Sequence, residues 1–407
     1  MRRMPSLAPI AVLGLAFFFV GSAASSTFKV IHSFCADKDC RDGALPNTGL
    51  AMDNSGTLYG ATDIGGHKNH GVLFVLTPDG NENWDYMVRW KLCRVEQCGK
   101  NATRNVPALI SDGSGNVYGV RALHKRQYEA FELTADGVYS SLYRFKHGEI
   151  PSGPLAYAGA LQGQPYDGHS PLYGTITHSA FSLTPSGSTW LLHTLYHFCR
   201  LENCQDGDDA IVPPIVESTG DLVGVTAHGG GSNSAGVIYR LTPDGGKWTE
   251  TVLHEFCQVG GCTDGGTGAS PLSEDSAGNL YGTTVSGGSF QQGVAYELSQ
   301  FGQFNVLYSF CSKSFCADGA SPYAVTLDAA GNLYGTTANG GTGFGVLYQI
   351  SGQTETVVHT FCSEANCADG EVPVSQLLKD SNGNLFGTTR GGGANPSLEG
   401  TVFELTP

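Results

Sequence analysis

The sequence predicts an all-β fold that is built from seven copies of one structural unit. A phrase of the form Leu-Tyr-Gly-Thr-Thr-x-x-Gly-Gly, or a variant of it, recurs every 50 to 59 residues. A repeat of this length cannot bury its apolar face alone, so the units must stack in an array or close into a ring. The 57 glycines and 18 prolines fit a fold with many turns, and no long amphipathic helical pattern occurs. The third-position glycines of the phrase are Gly60, Gly119, Gly174, Gly224, Gly282, Gly335 and Gly387.

The fifth repeat shows the strands of one unit most clearly. Strand A is the short apolar run at 271–272, strand B is 279–284, strand C is 293–298 and strand D is 304–310. An Asp-x-x-Gly-Asn turn joins A to B, because an opening Asp and a closing Gly suit a tight hairpin. Four short antiparallel strands in each unit are typical of a propeller blade. The sequence therefore predicts a seven-bladed β-propeller of four-stranded blades over residues 27–407.

The two ends of the repeat array predict that the ring closes on itself. The predicted propeller opens with a lone D strand at 28–34 and finishes with a lone C strand at 401–405. The last blade lacks its own D strand, and we expect the N-terminal strand to complete it. This closure leaves no unpaired sheet edge at the junction, whereas an open solenoid would cap each end separately.

The N-terminus predicts export. Arg2 and Arg3 precede an apolar run at 8–20, and small residues at 22–24 follow it, which is the pattern of a secretory signal peptide. We expect removal of residues 1–24. An uncleaved membrane anchor is the alternative, but the apolar run is short for a membrane-spanning helix and no second one follows. The mature chain should be secreted or periplasmic, with no membrane span.

Cysteine usage agrees with export. All 12 cysteines occur in pairs with four residues between them, one pair for each repeat except the third. In an oxidising compartment such pairs predict six local disulfides. Metal binding by thiolates is the alternative, but no pair has a second pair nearby in the sequence to complete a four-ligand site. The predicted disulfides are Cys35–Cys40, Cys93–Cys98, Cys199–Cys204, Cys257–Cys262, Cys311–Cys316 and Cys362–Cys367.

The charge balance narrows the classes of partner. The chain carries 37 acidic residues against 22 basic ones, a formal net charge of −15. Binding to nucleic acid depends on a basic surface that releases counterions, so we expect no nucleic-acid partner. The same charge opposes adsorption to anionic membranes. We expect a monomer whose partner is a glycan or an extracellular protein.

The turns of a four-stranded meander alternate between the two faces of the ring. The A–B and C–D turns are tight hairpins, which we interpret as structural. The B–C loops and the crossings from strand D to the next strand A share the other face, which carries the disulfides and is the expected binding face. An aspartate follows the second cysteine in five repeats. These carboxylates could bind Ca²⁺ or a polyol, or each could cap its own turn. They are Asp42, Asp206, Asp264, Asp318 and Asp369.

Departures from the repeat indicate blades 1 to 3 as the sector of a binding site. The second B–C loop carries Arg121 and His124 in place of a Gly-rich run, and the third is almost absent, with His178 at its turn. Neutral drift in loops that ring closure does not need is the alternative. No Gly-x-Ser-x-Gly, His-Glu-x-x-His or phosphate-binding Gly-Lys motif occurs. We therefore assign no catalytic residue, and we expect no cofactor or metal other than Ca²⁺ at the aspartates.

The phrase is most complete at 278–302 and again at 331–350, where Gly-Asn precedes it and Gly-Val-x-Tyr follows it. In this form it resembles the GloVer tandem-repeat proteins. Those are exported bacterial proteins whose repeats are thought to form propellers, so the resemblance implies this fold and export, and it supplies no catalytic residues. The second and third repeats depart from the pattern because they lack the Gly-Gly pair and the glycine of Gly-Val-x-Tyr.

The sequence favours a binding scaffold for a glycan or a protein that uses the disulfide-carrying face. An extracellular hydrolase or lyase that acts on a polysaccharide or lactone is the alternative, since carboxylates from different blades could meet at the central mouth. A structural envelope protein is the third interpretation.

Overall fold

The computed structural model describes residues 26–36, 39–92, 109–123, 127–187, 189–268, 270–373, 375–395 and 399–407. Its strands form seven antiparallel sheets, which are arranged as a seven-bladed β-propeller and confirm the predicted fold. Each sheet is a meander from an innermost strand A to an outermost strand D. The predicted signal peptide at 1–24 lies outside the described residues.

The strands follow the blades in chain order, except that β1 (Thr27–Ser33) belongs to blade 7. Blade 1 consists of β2 (Ala51–Met52), β3 (Leu58–Ala61), β4 (Val72–Pro78) and β5 (Trp84–Lys91). Blade 2 consists of β6 (Ile110–Ser111), β7 (Val117–Ala122), β8 (Tyr128–Leu133) and β9 (Tyr139–Arg144). Blade 3 consists of β10 (Leu172–Ile176), β11 (Ser179–Ser186) and β12 (Thr189–His197). Blade 4 consists of β13 (Ile215–Val216), β14 (Leu222–Val225), β15 (Val237–Asp244) and β16 (Lys247–Glu255). Blade 5 consists of β17 (Gly266–Gly268), β18 (Ser273–Glu274), β19 (Leu280–Ser286), β20 (Val294–Leu298) and β21 (Phe304–Ser309). Blade 6 consists of β22 (Ala320–Leu327), β23 (Leu333–Asn339), β24 (Val346–Ser351) and β25 (Thr354–Thr360). Blade 7 consists of β26 (Glu371–Pro373), β27 (Leu378–Lys379), β28 (Leu385–Gly391), β29 (Thr401–Thr406) and β1.

Short 3-10 turns lie in the loops that connect these strands. They occur at His67–Asn69, Ala160–Gln162, Glu202–Cys204, Gly231–Asn233, Ser314–Cys316 and Ala365–Cys367.

The ring closes as the ends of the repeat array predict. Strand β1 pairs antiparallel with β29, from Thr27 opposite Thr406 to Ser33 opposite Thr401. Blade 7 therefore takes its outermost strand from the N-terminal end of the propeller, and its three inner strand positions from the C-terminal end.

Blade 3 departs from the four-strand pattern. Its innermost strand is reduced to two isolated bridges, from Pro151 to Ile176 and from Ala156 to Tyr173. Pro151 and Pro154 lack the N–H group that a regular ladder needs, which accounts for the interruption. A long connection at 157–171 then replaces the tight A–B turn of the other blades.

The glycine of the repeated phrase makes room for an aromatic ring of strand C. Gly282 lies opposite Tyr296 in the β19–β20 ladder. A Cβ atom at position 282 would lie 2.5 Å from the Tyr296 hydroxyl oxygen, so only glycine fits there. The same strand C position holds a buried ring in every blade. These rings are Phe74, Phe131, Phe181, Tyr239, Tyr296, Tyr348 and Phe403.

Neighbouring blades are joined by rings and threonines. The ring of Phe256, at the end of strand D in blade 4, lies 5.4 Å from the ring of Tyr296 in blade 5. Two residues earlier, His254 stacks on Phe304 of blade 5 at 3.7 Å. The first threonine of the phrase reaches the next blade as well: Thr283 Oγ1 donates a hydrogen bond to a strand A carbonyl of blade 6 at 2.5 Å. Most of the repeated residues are thus explained by packing.

We predict that Gly282→Ala destabilises the protein by about 1–3 kcal/mol, because the added methyl group overpacks the ring of Tyr296. Gly260→Ala is the matched control, since nothing lies within 4 Å of a Cβ atom at that position. Urea titration of the disulfide-bonded protein gives the free energy of unfolding of each variant. Equal free energies for the two variants would show that the ring contact is not what requires the glycine.

Candidate functional site

The disulfide loop after strand D docks onto the Gly-Gly pair of the next blade. The N–H of Gly288 donates a hydrogen bond to the carbonyl of Cys262 at 2.9 Å. A Cβ atom on Gly287 would lie 2.6 Å from the backbone of Gly265, so a side chain would block this approach. The Gly-Gly pair of the phrase is therefore a docking surface for backbone. The equivalent donors at the described junctions are Gly66, Gly230, Gly288, Gly341 and Gly393.

Five of the six predicted disulfides are present in the described part of the chain. Because disulfides persist in oxidising compartments, they point to an extracellular or periplasmic location. The sixth, Cys93–Cys98, lies outside the described residues. The five are Cys35–Cys40, Cys199–Cys204, Cys257–Cys262, Cys311–Cys316 and Cys362–Cys367.

The five predicted aspartates each lie against their own disulfide loop. Asp318 is fully buried, and it accepts hydrogen bonds from the N–H groups of Ser312 at 2.8 Å and Lys313 at 3.2 Å. The Tyr308 hydroxyl donates to the same carboxylate at 2.7 Å. Burial alone would raise the pKa of Asp318, but these hydrogen bonds outweigh it and hold the pKa below its ordinary value.

The other four aspartates repeat this arrangement. Asp206, Asp264 and Asp369 each accept hydrogen bonds from two backbone N–H groups of their own loop, and Asp42 accepts one from Ala36 at 3.2 Å. These contacts are the ones that the turn-capping interpretation requires. Binding of Ca²⁺ or a polyol by the aspartates stays a prediction. Such a ligand would compete with the backbone N–H groups that already donate hydrogen bonds to these carboxylates.

Arg121 lies in an ion pair within blade 2. Its Nε donates to Glu129 Oε1 at 2.8 Å, and its Nη1 donates to the carbonyl of Leu92 at 2.9 Å. The buried Glu129 also accepts hydrogen bonds from the hydroxyls of Tyr139 and Ser141. Burial opposes ionisation of Glu129, but the Tyr139 hydrogen bond and the Arg121 charge together hold its pKa below the ordinary value. The guanidinium is therefore oriented by buried partners.

The two predicted histidines have different outcomes. His124 lies outside the described residues. His178 occupies the tight turn between β10 and β11, and its Nδ1 lies 2.5 Å from Asp208 Oδ1 in the crossing to blade 4. The contacts of Arg121 and His178 involve different partners, so these contacts do not join the two residues into one site.

Three successive disulfide loops each expose one apolar side chain on the predicted binding face. Leu201 is 53% exposed, Val259 is 55% exposed and Phe315 is 99% exposed. We call these three residues the apolar rim. Phe290 and Phe344, in the B–C loops of blades 5 and 6, are also exposed on this face. Residues of this kind on one face mark a candidate interaction surface.

Phe315 has an unusual backbone conformation for an aromatic residue. Its φ is 59°, in the left-handed region. The residues at the same place in other disulfide loops have φ of 55° at Asn203, 58° at Asn366 and 76° at Gly261. Asn and Gly tolerate this region, whereas a residue with a bulky side chain loses about 1–2 kcal/mol there. In the sequence, the only sign of this feature is a Phe directly before the second cysteine of the loop. Its significance becomes clear only from the backbone angle in the structure.

A central cavity of about 1400 Å³ runs along the axis of the ring. Strand A positions of all seven blades line it, and it extends to the face of the A–B and C–D turns at Asn54, Asn83 and Asp380. The tight turns on that face predicted a structural role only. Glu274 and Glu404 also line the cavity, and burial is the main cause that raises the pKa of each carboxyl above its ordinary value.

The long connection of blade 3 borders this cavity and was missed by sequence reasoning. Tyr166 of the connection is buried, and its N–H donates to the carbonyl of Ser111 in blade 2 at 3.1 Å. Its ring packs edge-on against Tyr118 at 4.9 Å. The absence of an Asp-x-x-Gly-Asn turn in the third repeat was the available signal. The connection thus covers the inner end of blade 2.

These features define a class of protein: a disulfide-bonded seven-bladed propeller with one candidate surface on each face. No helix in the described ranges is long and apolar enough to cross a membrane. The Gloeobacter/Verrucomicrobia repeat model matches the chain twice, over residues 108–316 and 211–407. The chain belongs to this family, which confirms the resemblance drawn from the repeated phrase. No curated protein matches the chain.

Solved structures share the fold at low sequence identity. The extracellular domains of two putative hybrid two-component systems of B. thetaiotaomicron match with TM-scores of 0.57 and 0.52, at 12% and 14% identity. They cover 92% and 94% of this chain, which spans 39% and 41% of their length. An ancestral GH74 enzyme matches with a TM-score of 0.55 at 12% identity, over 89% of this chain and 48% of its own. These likenesses concern the fold alone.

We predict that Asp318→Asn lowers the free energy of unfolding by about 1–3 kcal/mol at neutral pH, because an amide cannot accept all the hydrogen bonds of the buried carboxylate. The pKa of Asp318 is lower in the folded protein than in the unfolded chain. Its contribution is therefore present above about pH 4, the ordinary pKa, and is lost as the pH falls through the folded-state pKa.

The difference between wild type and Asp318→Asn should shrink when urea titrations are moved from about pH 7 to about pH 3. Asp244→Asn, at an exposed C–D turn, is the control and should match wild type at both values. A difference that stays constant with pH would show that the charge of Asp318 does not stabilise the loop.

Proposed function

We propose that this protein is an exported scaffold that binds an extracellular protein through the apolar rim. The observation that carries the proposal is Phe315, which is 99% exposed at a φ of 59°. The exposed ring contributes almost nothing to folding through burial, and the backbone conformation opposes folding, so the fold does not account for Phe at this position. The Cys311–Cys316 disulfide keeps the loop rigid, so that binding orders little additional chain.

A protein partner fits the chemistry of the rim better than a glycan. Leu201 and Val259 offer no hydrogen-bonding group in their side chains, whereas sugar hydroxyls need such partners when they are desolvated. Protruding aromatic side chains such as Phe315 are instead enriched in the cores of protein–protein interfaces. The acidic net charge of −15 makes a basic surface on the partner favourable.

We predict that Phe315→Asn raises the free energy of unfolding by about 0.5–1 kcal/mol, because Asn tolerates the left-handed backbone. The same variant should lose partner binding. A photo-crosslinking residue at position 315, in cells that export the protein, should give an adduct of discrete mass. Phe301 is the matched control, since it is 89% exposed but lies in a C–D turn on the opposite face.

The adduct at position 315 should weaken when Leu201 and Val259 are replaced by Ser, while the position 301 probe should give none. Adducts of equal yield at both positions, or none at 315, would contradict the proposal. If wild type binds glycans on an array and Phe315→Asn does not, the apolar rim is a glycan-binding site and not a protein-binding site.

The central cavity favours a second candidate, an extracellular hydrolase. Glu274 and Glu404 both line the cavity and have raised pKa values, as a general acid in glycoside hydrolysis requires. If a polysaccharide is cleaved there, Glu274→Gln or Glu404→Gln should reduce the release of reducing ends by about 100-fold. Glu82→Gln, another cavity position, is the control. No release by wild type from a polysaccharide panel would remove this candidate.

A further inference from the structure

We propose that the junction between blades 3 and 4 binds the ammonium group of a lysine side chain on the protein partner. The proposal rests on the proposed function, because it names a charged group of the partner that binds the apolar rim. The site consists of Glu250 in strand β16 and of the disulfide loop after blade 3, with Leu201 inside the loop and Asp206 behind it. The junction between blades 5 and 6 has the same arrangement and holds an ammonium group of its own chain.

At the junction between blades 5 and 6, Lys313 of the disulfide loop reaches a glutamate of the next blade. Its Nζ lies 2.8 Å from Glu355 Oε2. The Glu355 side chain is fully buried, whereas 51% of the Lys313 side chain is exposed. The lysine therefore covers the carboxylate and supplies the opposite charge that a buried glutamate needs.

Glu250 occupies the place of Glu355 in blade 4. It lies opposite Leu241 in the β15–β16 ladder, and Glu355 lies opposite Ile350 in the β24–β25 ladder. Leu241 and Ile350 each follow the buried ring of strand C by two residues, so the two ladders have the same register. The two glutamates therefore face the preceding disulfide loop in the same way.

The backbone that carries Lys313 is matched by the backbone at Leu201. The Lys313 N–H donates to Asp318 Oδ1 at 3.2 Å, and the Leu201 N–H donates to Asp206 Oδ1 at 3.1 Å. A strand D tyrosine hydroxyl donates to the other oxygen of each aspartate, at 2.7 and 2.9 Å. Leu201 thus starts from the same position as Lys313, but its side chain brings no charge to Glu250.

Glu250 is left without a cation. Among the described residues no Lys, Arg or His forms an ion pair with it, and its Oε1 is buried without a hydrogen-bond partner. Arg200 of the facing loop lies over the ring of Tyr196, with its Cζ 5.9 Å from the ring centroid. Burial, together with the charge of Asp206, raises the pKa of Glu250 to about 7. A cation that reaches Glu250 would therefore offset a charge that is otherwise uncompensated.

The open part of the site fits a single positive charge on an apolar stem. Asp206 already accepts hydrogen bonds from the Tyr196 hydroxyl and from two backbone N–H groups, so of the two carboxylates Glu250 remains for a ligand. One carboxylate balances an ammonium group, whereas Ca²⁺ takes about six to eight oxygen ligands. The exposed Leu201 offers an apolar contact to the methylene stem of a lysine. Glu250 is only half-buried, so a side chain from outside can reach it.

Leu201→Lys tests the site without the partner, because it supplies the ammonium group from the chain itself. At about pH 8, above the pKa of Glu250, it should raise the thermal midpoint by about 1 °C relative to Leu201→Gln. In the Glu250→Gln background the two variants should have the same midpoint. Equal midpoints in both backgrounds would overturn the proposal. A fall in midpoint for Arg200→Ser that disappears with Glu250→Gln would overturn it too, because Arg200 would then already fill the site.

The photo-crosslinking residue at position 315, in cells that export the protein, tests the partner's lysine. Glu250→Gln should reduce the yield of the adduct about 10-fold, because the lysine loses its counter-charge. Glu202→Gln is the matched control and should keep the wild-type yield, since it removes the same charge from an exposed position of the same disulfide loop. Leu201→Lys should also reduce the yield, because its own ammonium group takes the place of the partner's.

The outcomes separate this inference from the proposed function. Equal adduct yields in wild type, Glu250→Gln and Glu202→Gln would overturn the inference and leave the proposed function intact. An equal loss in both variants would reveal a general effect of net charge and would overturn the inference as well. No adduct at position 315 in wild type would contradict the proposed function and, with it, the bound lysine.

Discussion

The contact between a strand B glycine and a strand C ring determines the form of every blade. At Gly282 the ring of Tyr296 occupies the space of a side chain, and Phe256 of the preceding blade packs against the same ring. One aromatic side chain therefore fills its own blade and seals the boundary to the neighbouring one. Because any Cβ would displace the ring, this position admits no variation without repacking two blades. The repetition of the phrase follows from this requirement.

That constraint acts on the strands and leaves the loops free to differ. The features that distinguish one blade from another therefore lie in the loops. The Gly-Gly pairs and loop aspartates hold each disulfide loop in the same place, so a change at its tip does not disturb the blade. Phe315 shows this clearly, since the Asp318 carboxylate still accepts hydrogen bonds from Ser312 and Lys313 beneath it. A stable base permits a tip residue that the backbone alone would disfavour.

The sequence predicted the parts that depend on local periodicity. Strand order, ring closure by β1 and the short disulfides follow from turn chemistry and spacing. It did not predict contacts that depend on register or on backbone angle. Arg121 was expected in a loop site, but its cross-strand neighbour Glu129 orients it inward. Asp208 and His228 face each other only because a crossing bridges to a B–C loop, which no spacing reveals.

The pairing of β1 with β29 has a kinetic consequence. The register from Thr27–Thr406 to Ser33–Thr401 joins segments separated by nearly the whole propeller. Each of the other described D strands pairs with the strand just before it in the chain, so blades 1 to 6 can assemble from local contacts. Ring closure is the one step of very high contact order, and such steps are slow. Until β1 pairs with β29, the edge of β29 is free to pair with a strand of another chain. The stage before ring closure is therefore the one most prone to misassociation.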